Sequence, residues 1–162
     1  MNKDMLEALE LISEKLKDKK IKWVISGSTS LLLQGIVEKA NDIDIMTDKE
    51  GAFRLSKIFK DYELKPVKFS RTKIIKSYWG KLKIGDKEVD IMGEFSEKIG
   101  NKWVNISRQR LESPKIKKIG NIEVPVTTLE SHLLSYRVLG RKKDIEKIKK
   151  IEEFMKRKNQ KY

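Results

Sequence analysis

Asn41-Asp42-Ile43-Asp44-Ile45-Met46 sets two carboxylates one residue apart among apolar neighbours. In a β-strand, side chains at i and i+2 share a face, so Asp42 and Asp44 point one way while Ile43 and Ile45 point into a buried layer. Two carboxylates so placed can hold a divalent cation, the chemistry of metal-assisted phosphoryl or nucleotidyl transfer. Upstream, Lys22-Trp23-Val24-Ile25-Ser26 is a β-prone run broken by Gly27-Ser28 and followed by Leu31-Leu32-Leu33, which predicts strand, tight turn and helix start. At Gly27 no Cβ keeps a phosphate from the backbone, and Ser28 with the amides after it can hydrogen-bond phosphate oxygens.

Helices and strands are expected on both sides of this pair. Met5, Leu9, Ile12 and Leu16 recur at helical spacing, so an amphipathic helix precedes the first strand and ends near Asp18-Lys19-Lys20. Thr47-Asp48-Lys49-Glu50 has the Thr-x-x-Glu form of a capping box, with Leu55, Ile58, Phe59 and Tyr62 as the apolar face of the helix it opens. Residues 73–84 alternate, Gly85-Asp86-Lys87 turns, and Glu88-Val89-Asp90-Ile91-Met92 returns as a hairpin. Residues 102–107 read as another strand, and Ile119-Gly120-Asn121-Ile122 as a tight hairpin into Glu123-Val124-Pro125-Val126. Thr127-Thr128-Leu129-Glu130 again fits a capping box, for a helix that runs to about Leu139 and stops at Gly140. A last helix over 142–158 keeps Ile145, Ile148, Ile151 and Phe154 or Met155 inward.

The expected fold is α/β (α+β): a small mixed sheet carrying the carboxylates, helices packed on one side, and C-terminal helices closing the cleft. A chain of 162 residues suits a single domain, with a core over about 20–126 and a helical part over about 127–158. Lys and Arg number 37 against 24 Asp and Glu, a formal charge of +13. A surplus that large implies a polyanionic partner or a phosphate-rich ligand, although a lysine-rich surface that serves solubility alone would look the same. With no cysteine and one histidine, disulfides, thiol nucleophiles and cysteine-ligated zinc are excluded. Residues 1–20 mix acids and lysines unlike a signal peptide, and no apolar run nears the roughly 20 residues of a membrane span, so a cytoplasmic protein with no membrane partner is expected.

Together these residues resemble the polymerase-β-like nucleotidyltransferase superfamily, whose signature is an apolar residue, Gly-Gly or Gly-Ser, a spacer, and Asp-x-Asp on a strand. Ile25-Ser26-Gly27-Ser28, the spacer 29–41 and Asp42-Ile43-Asp44-Ile45 carry the match, and a third carboxylate on a later strand would be Asp90, with Glu88 its same-face alternative. The resemblance implies transfer of a nucleoside monophosphate from an NTP, ATP included, to a hydroxyl, with release of pyrophosphate. It implies Mg²⁺, as one ion or two and replaceable by Mn²⁺, on Asp42, Asp44 and Asp90, with Asp90 as base and Gly27 and Ser28 as triphosphate cradle. More distantly, Leu133-Leu134-Ser135-Tyr136-Arg137 and Arg141-Lys142-Lys143-Asp144 resemble the helical segment of nucleotidyltransferases of the AbiEii toxin type and of some antibiotic nucleotidyltransferases. That likeness implies Arg137 and Arg141 on the triphosphate, with Arg137 in place of the usual lysine.

The acceptor is open among three classes. The charge and the basic last helix favour RNA such as tRNA; toxin–antitoxin and antibiotic-modifying relatives offer a protein or a small molecule; and a non-catalytic nucleic-acid-binding module would keep the fold without the reaction. A partner subunit or homo-oligomer could complete so short a chain's acceptor site. Lys142, Lys143, Lys147, Lys149 and Lys150 read as a solvated basic face, and His132 as a packed or capping side chain. Trp23, Trp79 and Trp103 read as core or half-buried strand positions, with base stacking open to Trp79 or Trp103 if exposed beside lysines. Arg71 reads as a loop cation.

Overall fold

The computed structural model describes residues 1–161. Helix α1, Lys3–Leu16, begins where the Asn2 side chain accepts from the Met5 amide, and it buries Met5, Ala8, Leu9, Ile12 and Leu16 along one stripe. Strand β1, Trp23–Ser26, runs directly into α2, Gly27–Leu33, and β2, Ile43–Thr47, returns antiparallel to β1. Helix α3, Lys49–Ile58, is capped by Asp48, whose carboxylate accepts from the Gly51 amide at 2.6 Å. The capping box expected at Thr47 is thus shifted by one residue. Thr47 stays in β2, where its hydroxyl donates to the Lys22 carbonyl at 2.7 Å.

Beyond α3 the chain forms β3 (Glu63–Arg71), β4 (Ile75–Ile84), β5 (Lys87–Ile99) and β6 (Lys102–Asn105). Arg71, expected in a loop, ends β3. That strand escapes sequence reading because only Val67 in it is buried and Pro66 removes a ladder donor, features of an edge strand. Residues 106 and 107, expected as strand, open helix α4, Ile106–Glu112, where the Asn105 side chain caps the Arg108 amide. Strands β7 (Lys115–Ile119) and β8 (Ile122–Val126) make the expected hairpin. Helix α5, Leu129–Leu139, is capped by Thr128 rather than Thr127 and ends at Gly140, whose φ of 59° is left-handed. A short 3₁₀ turn, Lys142–Asp144, precedes α6, Ile145–Asn159. Ile151 is fully buried there, but Ile145, expected inward, is 63% exposed, because six residues at 3.6 per turn put it about 120° around α6 from Ile151.

Among the described residues, eight strands form one mixed sheet in the order β3-β4-β5-β2-β1-β8-β7, with β6 paired to the far end of β5. The sheet is larger than expected and is covered on both faces. Alternation sends Ile25, Ile43, Ile45, Val89 and Ile91 to the face under α1 and α3. Val24, Met46 and Met92 go to the other face, against Ile106 and Leu111 of α4. Each fully buried aliphatic side chain contributes about 1.5–3 kcal/mol, so the α1 stripe is a principal support of the sheet. Helices α5 and α6 meet around Leu133, Tyr136 and Ile151 and reach Leu31 of α2, which anchors the C-terminal helices beside the Gly27 turn.

The capping assignment has a direct test. Asp48→Ala should lower unfolding stability by about 1 kcal/mol in chemical denaturation, through loss of the bond to the Gly51 amide.

Candidate active site

The central register gathers the polar groups. Asp44 lies opposite Asp90 across the parallel β2–β5 pair and opposite Ser26 across β1–β2, while Asp90 lies opposite Lys81 of β4. A row Lys81, Asp90, Asp44, Ser26 therefore crosses four strands on the face that also carries Met46 and Met92. Asp42 precedes β2 and is exposed. Its carbonyl accepts from Thr29 Oγ1 at 2.6 Å, which ties this loop to α2.

Three like charges share this end of the sheet. The Asp44 carboxyl is pushed up to about 6, first by burial and then by Asp90 and Asp42, with Arg110 and Lys147 opposing the rise. Burial also raises Asp90, against the pull of Lys81, whose Nζ lies 3.8 Å from Asp90 Oδ1. Glu88, the alternative third acid, takes Lys81 Nζ at 3.1 Å, so Asp90 is the carboxylate set beside Asp44. No three acidic or imidazole groups among the described residues are already drawn together around a cation position. Asp42 points to solvent and Asp90 leans toward Lys81. The donor set nevertheless fits a hard divalent cation: all its groups are carboxylates, their mutual repulsion is only partly offset by Arg110, Lys147 and Lys81, and buried Asp90 Oδ1 has no hydrogen-bond partner.

Gly27 has φ of 62°, and a Cβ there would stand 2.2 Å from Asp44 Oδ2. Only glycine lets the β1–α2 turn pass this close to the carboxylate. Gly27, Ser28 and Asp44 line one side of a cavity of about 240 Å³, and Arg110, Arg141, Lys143 and Lys147 line other parts of its wall.

Several of these side chains were not singled out by sequence. Arg110, on α4, is buried and donates to Ser26 Oγ, which also receives the Thr127 hydroxyl at 3.1 Å. Its buried Nε has no acceptor, and burial lowers its pKa against the pull of Glu97, Tyr136 and Asp44. Glu97 and Asp144 are buried acids of the same wall. Arg141 holds Asp144 at 2.7 Å, and Ser135 lies 3.4 Å from Glu97. Short α4 gives no strong periodic signal, so Arg110 carried none in the sequence.

The helical residues sort differently from expectation. Arg141 lines the cavity, whereas Arg137 points away and pairs with Glu152 at 2.6 Å on the outer face of α5 and α6. Lys147, expected on a solvated face, turns into the cavity with its Nζ 5.7 Å from the Tyr136 ring centre. His132 is packed as expected, with Nε2 3.1 Å from Ser30 Oγ. Burial first, then Arg110 and Lys147, drive its pKa down to about 3, so it is neutral.

A sheet that seats paired carboxylates beside a glycine turn and a cation-lined cavity has the groups that nucleotidyl transfer needs. The chain belongs to the aminoglycoside-2''-adenylyltransferase family, whose model matches residues 8–151. It is 32% identical to a Thermotoga maritima protein described as a candidate nucleotidyltransferase, with 97% of this chain and 96% of that one covered and a TM-score of 0.79. The fold is also that of the antibiotic-resistance factor ANT(2'')-Ia. Its complex with adenylyl-2''-tobramycin superposes with a TM-score of 0.58 at 16% identity over 91% of this chain and 87% of that one. Its solution structure gives 0.57 at 15% over 93% and 84%. No curated protein matches the sequence. No helix among the described residues is long and apolar enough to cross a membrane.

Two predictions follow from the buried carboxylate. The native state holds the Asp44 proton to about pH 6 and the unfolded chain releases it near 3.8, so stability falls as pH rises between these values. Asp44→Asn should therefore stabilise the protein at pH 7.5, by up to about 3 kcal/mol, with the gain vanishing toward pH 4 in melting curves. Gly27→Ala should lower the melting temperature at pH 7.5, since its Cβ meets Asp44 Oδ2 and its φ is strained, and should abolish NTP binding measured by calorimetry.

Proposed function

We propose that this nucleotidyltransferase moves a nucleoside monophosphate from an NTP to a hydroxyl of an RNA acceptor, with Mg²⁺ held by Asp42, Asp44 and Asp90. The observation that carries this reading is the cavity beside Asp44, where Gly27 and Ser28 meet Arg110, Arg141, Lys143 and Lys147. The four cations of its wall suit a triphosphate. The chain's +13 charge favours a polyanionic acceptor.

In this reading Gly27 and Ser28 contact the triphosphate, and Arg141 and Lys147 neutralise its oxygens from the helical side. A bound Mg²⁺ supplies Lewis-acid charge at the phosphate that is transferred. Asp90 accepts the proton of the acceptor hydroxyl, the acceptor oxygen bonds the α-phosphorus, and the bond from that phosphorus to the pyrophosphate oxygen breaks. Asp90 suits the role because burial raises its pKa and its Oδ1, 3.8 Å from Lys81 Nζ, accepts no hydrogen bond. Arg110 acts through Ser26, which it holds at the start of the glycine turn.

A second reading, a small-molecule acceptor, rests on the family match and on the neighbour seen with adenylyl-2''-tobramycin. Incubation with Mg²⁺, each α-labelled NTP, cellular RNA and, separately, tobramycin distinguishes the two. Label on RNA is expected, and label on tobramycin alone would select the second reading. Asp42→Ala/Asp44→Ala should cut transfer by at least about a hundredfold.

A further inference from the structure

We propose that the end of the sheet opposite the carboxylate face is a binding platform for single-stranded RNA, built from Phe53, Phe69, Tyr78 and Trp103 with Lys49, Arg71 and Lys76. Pairing of Phe69 with Tyr78, Arg71 with Lys76, Lys76 with Ser96, and Lys98 with Trp103 keeps these side chains on one face. The alternate residue Val104 packs into the α4 cluster on the other face. The platform therefore lies on the side of α3.

Its surface alternates rings and cations. Phe69 and Phe53 flank Tyr78 with ring centres 5.5 and 5.8 Å away, and Lys49 Nζ stands 5.0 Å over the Tyr78 ring. Farther along, Lys76 Nζ and Arg71 Cζ lie 4.6 and 5.3 Å from the Trp103 ring centre. Phe69 is 53% exposed and Phe53 41%. Among the described residues, Lys49, Arg71, Lys76 and Lys98 make no ion pair. Glu94, the acid at the rim, is occupied by the Asn105 side chain and the Lys49 amide.

Exposed Phe53 and Phe69, beside half-buried Tyr78 and Trp103 that carry unpaired cations over their faces, match a chain that offers a π-face and a phosphate at each step. Bases stack on the phenylalanine rings, and the neighbouring cations turn to the backbone phosphates. An acidic peptide would use the cations and leave the rings without a role, and a duplex hides its bases. β3 is the edge strand, and from it Lys65 reaches Trp79, which lies next to Asp90's neighbour Lys81 on the catalytic side, with Lys65 Nζ 5.2 Å from the Trp79 ring centre. A strand bound on the platform can thus pass over this edge toward the carboxylates.

The platform deepens the RNA-acceptor reading and rests on it for its purpose. Its test is separate: anisotropy of a fluorescein-labelled 12-nucleotide single-stranded RNA, without NTP or Mg²⁺. Phe69→Ala should weaken binding about tenfold and Phe69→Tyr should leave it unchanged, because the exposed ring is the stacking group. Arg71→Ala/Lys76→Ala should flatten the dependence of affinity on salt. Equal binding by Phe69→Ala and the native protein, or equal competition by polyglutamate or duplex RNA, would overturn the platform. Tight RNA binding lost in Phe69→Ala, with label going only to tobramycin, would uphold the platform and overturn the RNA acceptor.

Discussion

Two carboxylates held side by side in adjacent parallel strands, Asp44 and Asp90, set the electrostatics of the whole site. Their register follows from hydrophobic alternation. Ile43, Ile45, Val89 and Ile91 must face α1 and α3, and a slip of one residue would turn the acids into that apolar layer and the isoleucines toward the cavity. The core thus enforces a like-charge contact, relieved by Arg110, Lys81 and Lys147 and by no direct ion pair to Asp44. An unfavourable local arrangement sustained by a well-packed surrounding is what the proposed cation and triphosphate site would draw on.

Around that pair, supporting groups arrive from distant parts of the chain. Arg110 comes from a helix two turns long and grips Ser26, while Thr127 reaches the same hydroxyl from the end of β8. Thr29 fixes the carbonyl of Asp42, and Gly27 allows the turn to touch Asp44. These contacts span most of the sequence, so the site and the fold are stabilised together. Three of the cavity's four cations, Arg141, Lys143 and Lys147, come from the segment around the 3₁₀ turn and the first turn of α6, whose placement depends on packing around Tyr136 and Ile151.

Much of the fold was legible because strong local signals repeat. The α1 stripe, the two tight hairpins, the Gly140 stop and the packed His132 all follow from periodicity, turn chemistry or composition. Both capping boxes were read one residue early, since Thr47-Asp48 and Thr127-Thr128 each offer two capping side chains and only the packed backbone selects one. Strand β3 was hidden by its exposure and its proline, and α4 by its shortness. In the site, the glycine turn and paired carboxylates stood out by spacing, but the choice between Arg137 and Lys147 did not. Both are cations on helices, and the packing of α5 and α6 around Tyr136 and Ile151 decides which one faces inward.

Sequence by itself determined the chemistry on offer: two acids at the start of one strand, a glycine that admits a close approach, an excess of cations, and no thiol. These are local properties, readable from residue type and from the periods of strand and helix. Tertiary structure alone decided which groups meet. It set Asp90 rather than Glu88 beside Asp44, brought buried Arg110 to Ser26, turned Lys147 inward and Arg137 outward, and put Trp103 and Trp79 on opposite faces of one sheet. The reason is physical: strand register and helix phase are fixed by burial summed over the whole core, and no single segment contains that sum.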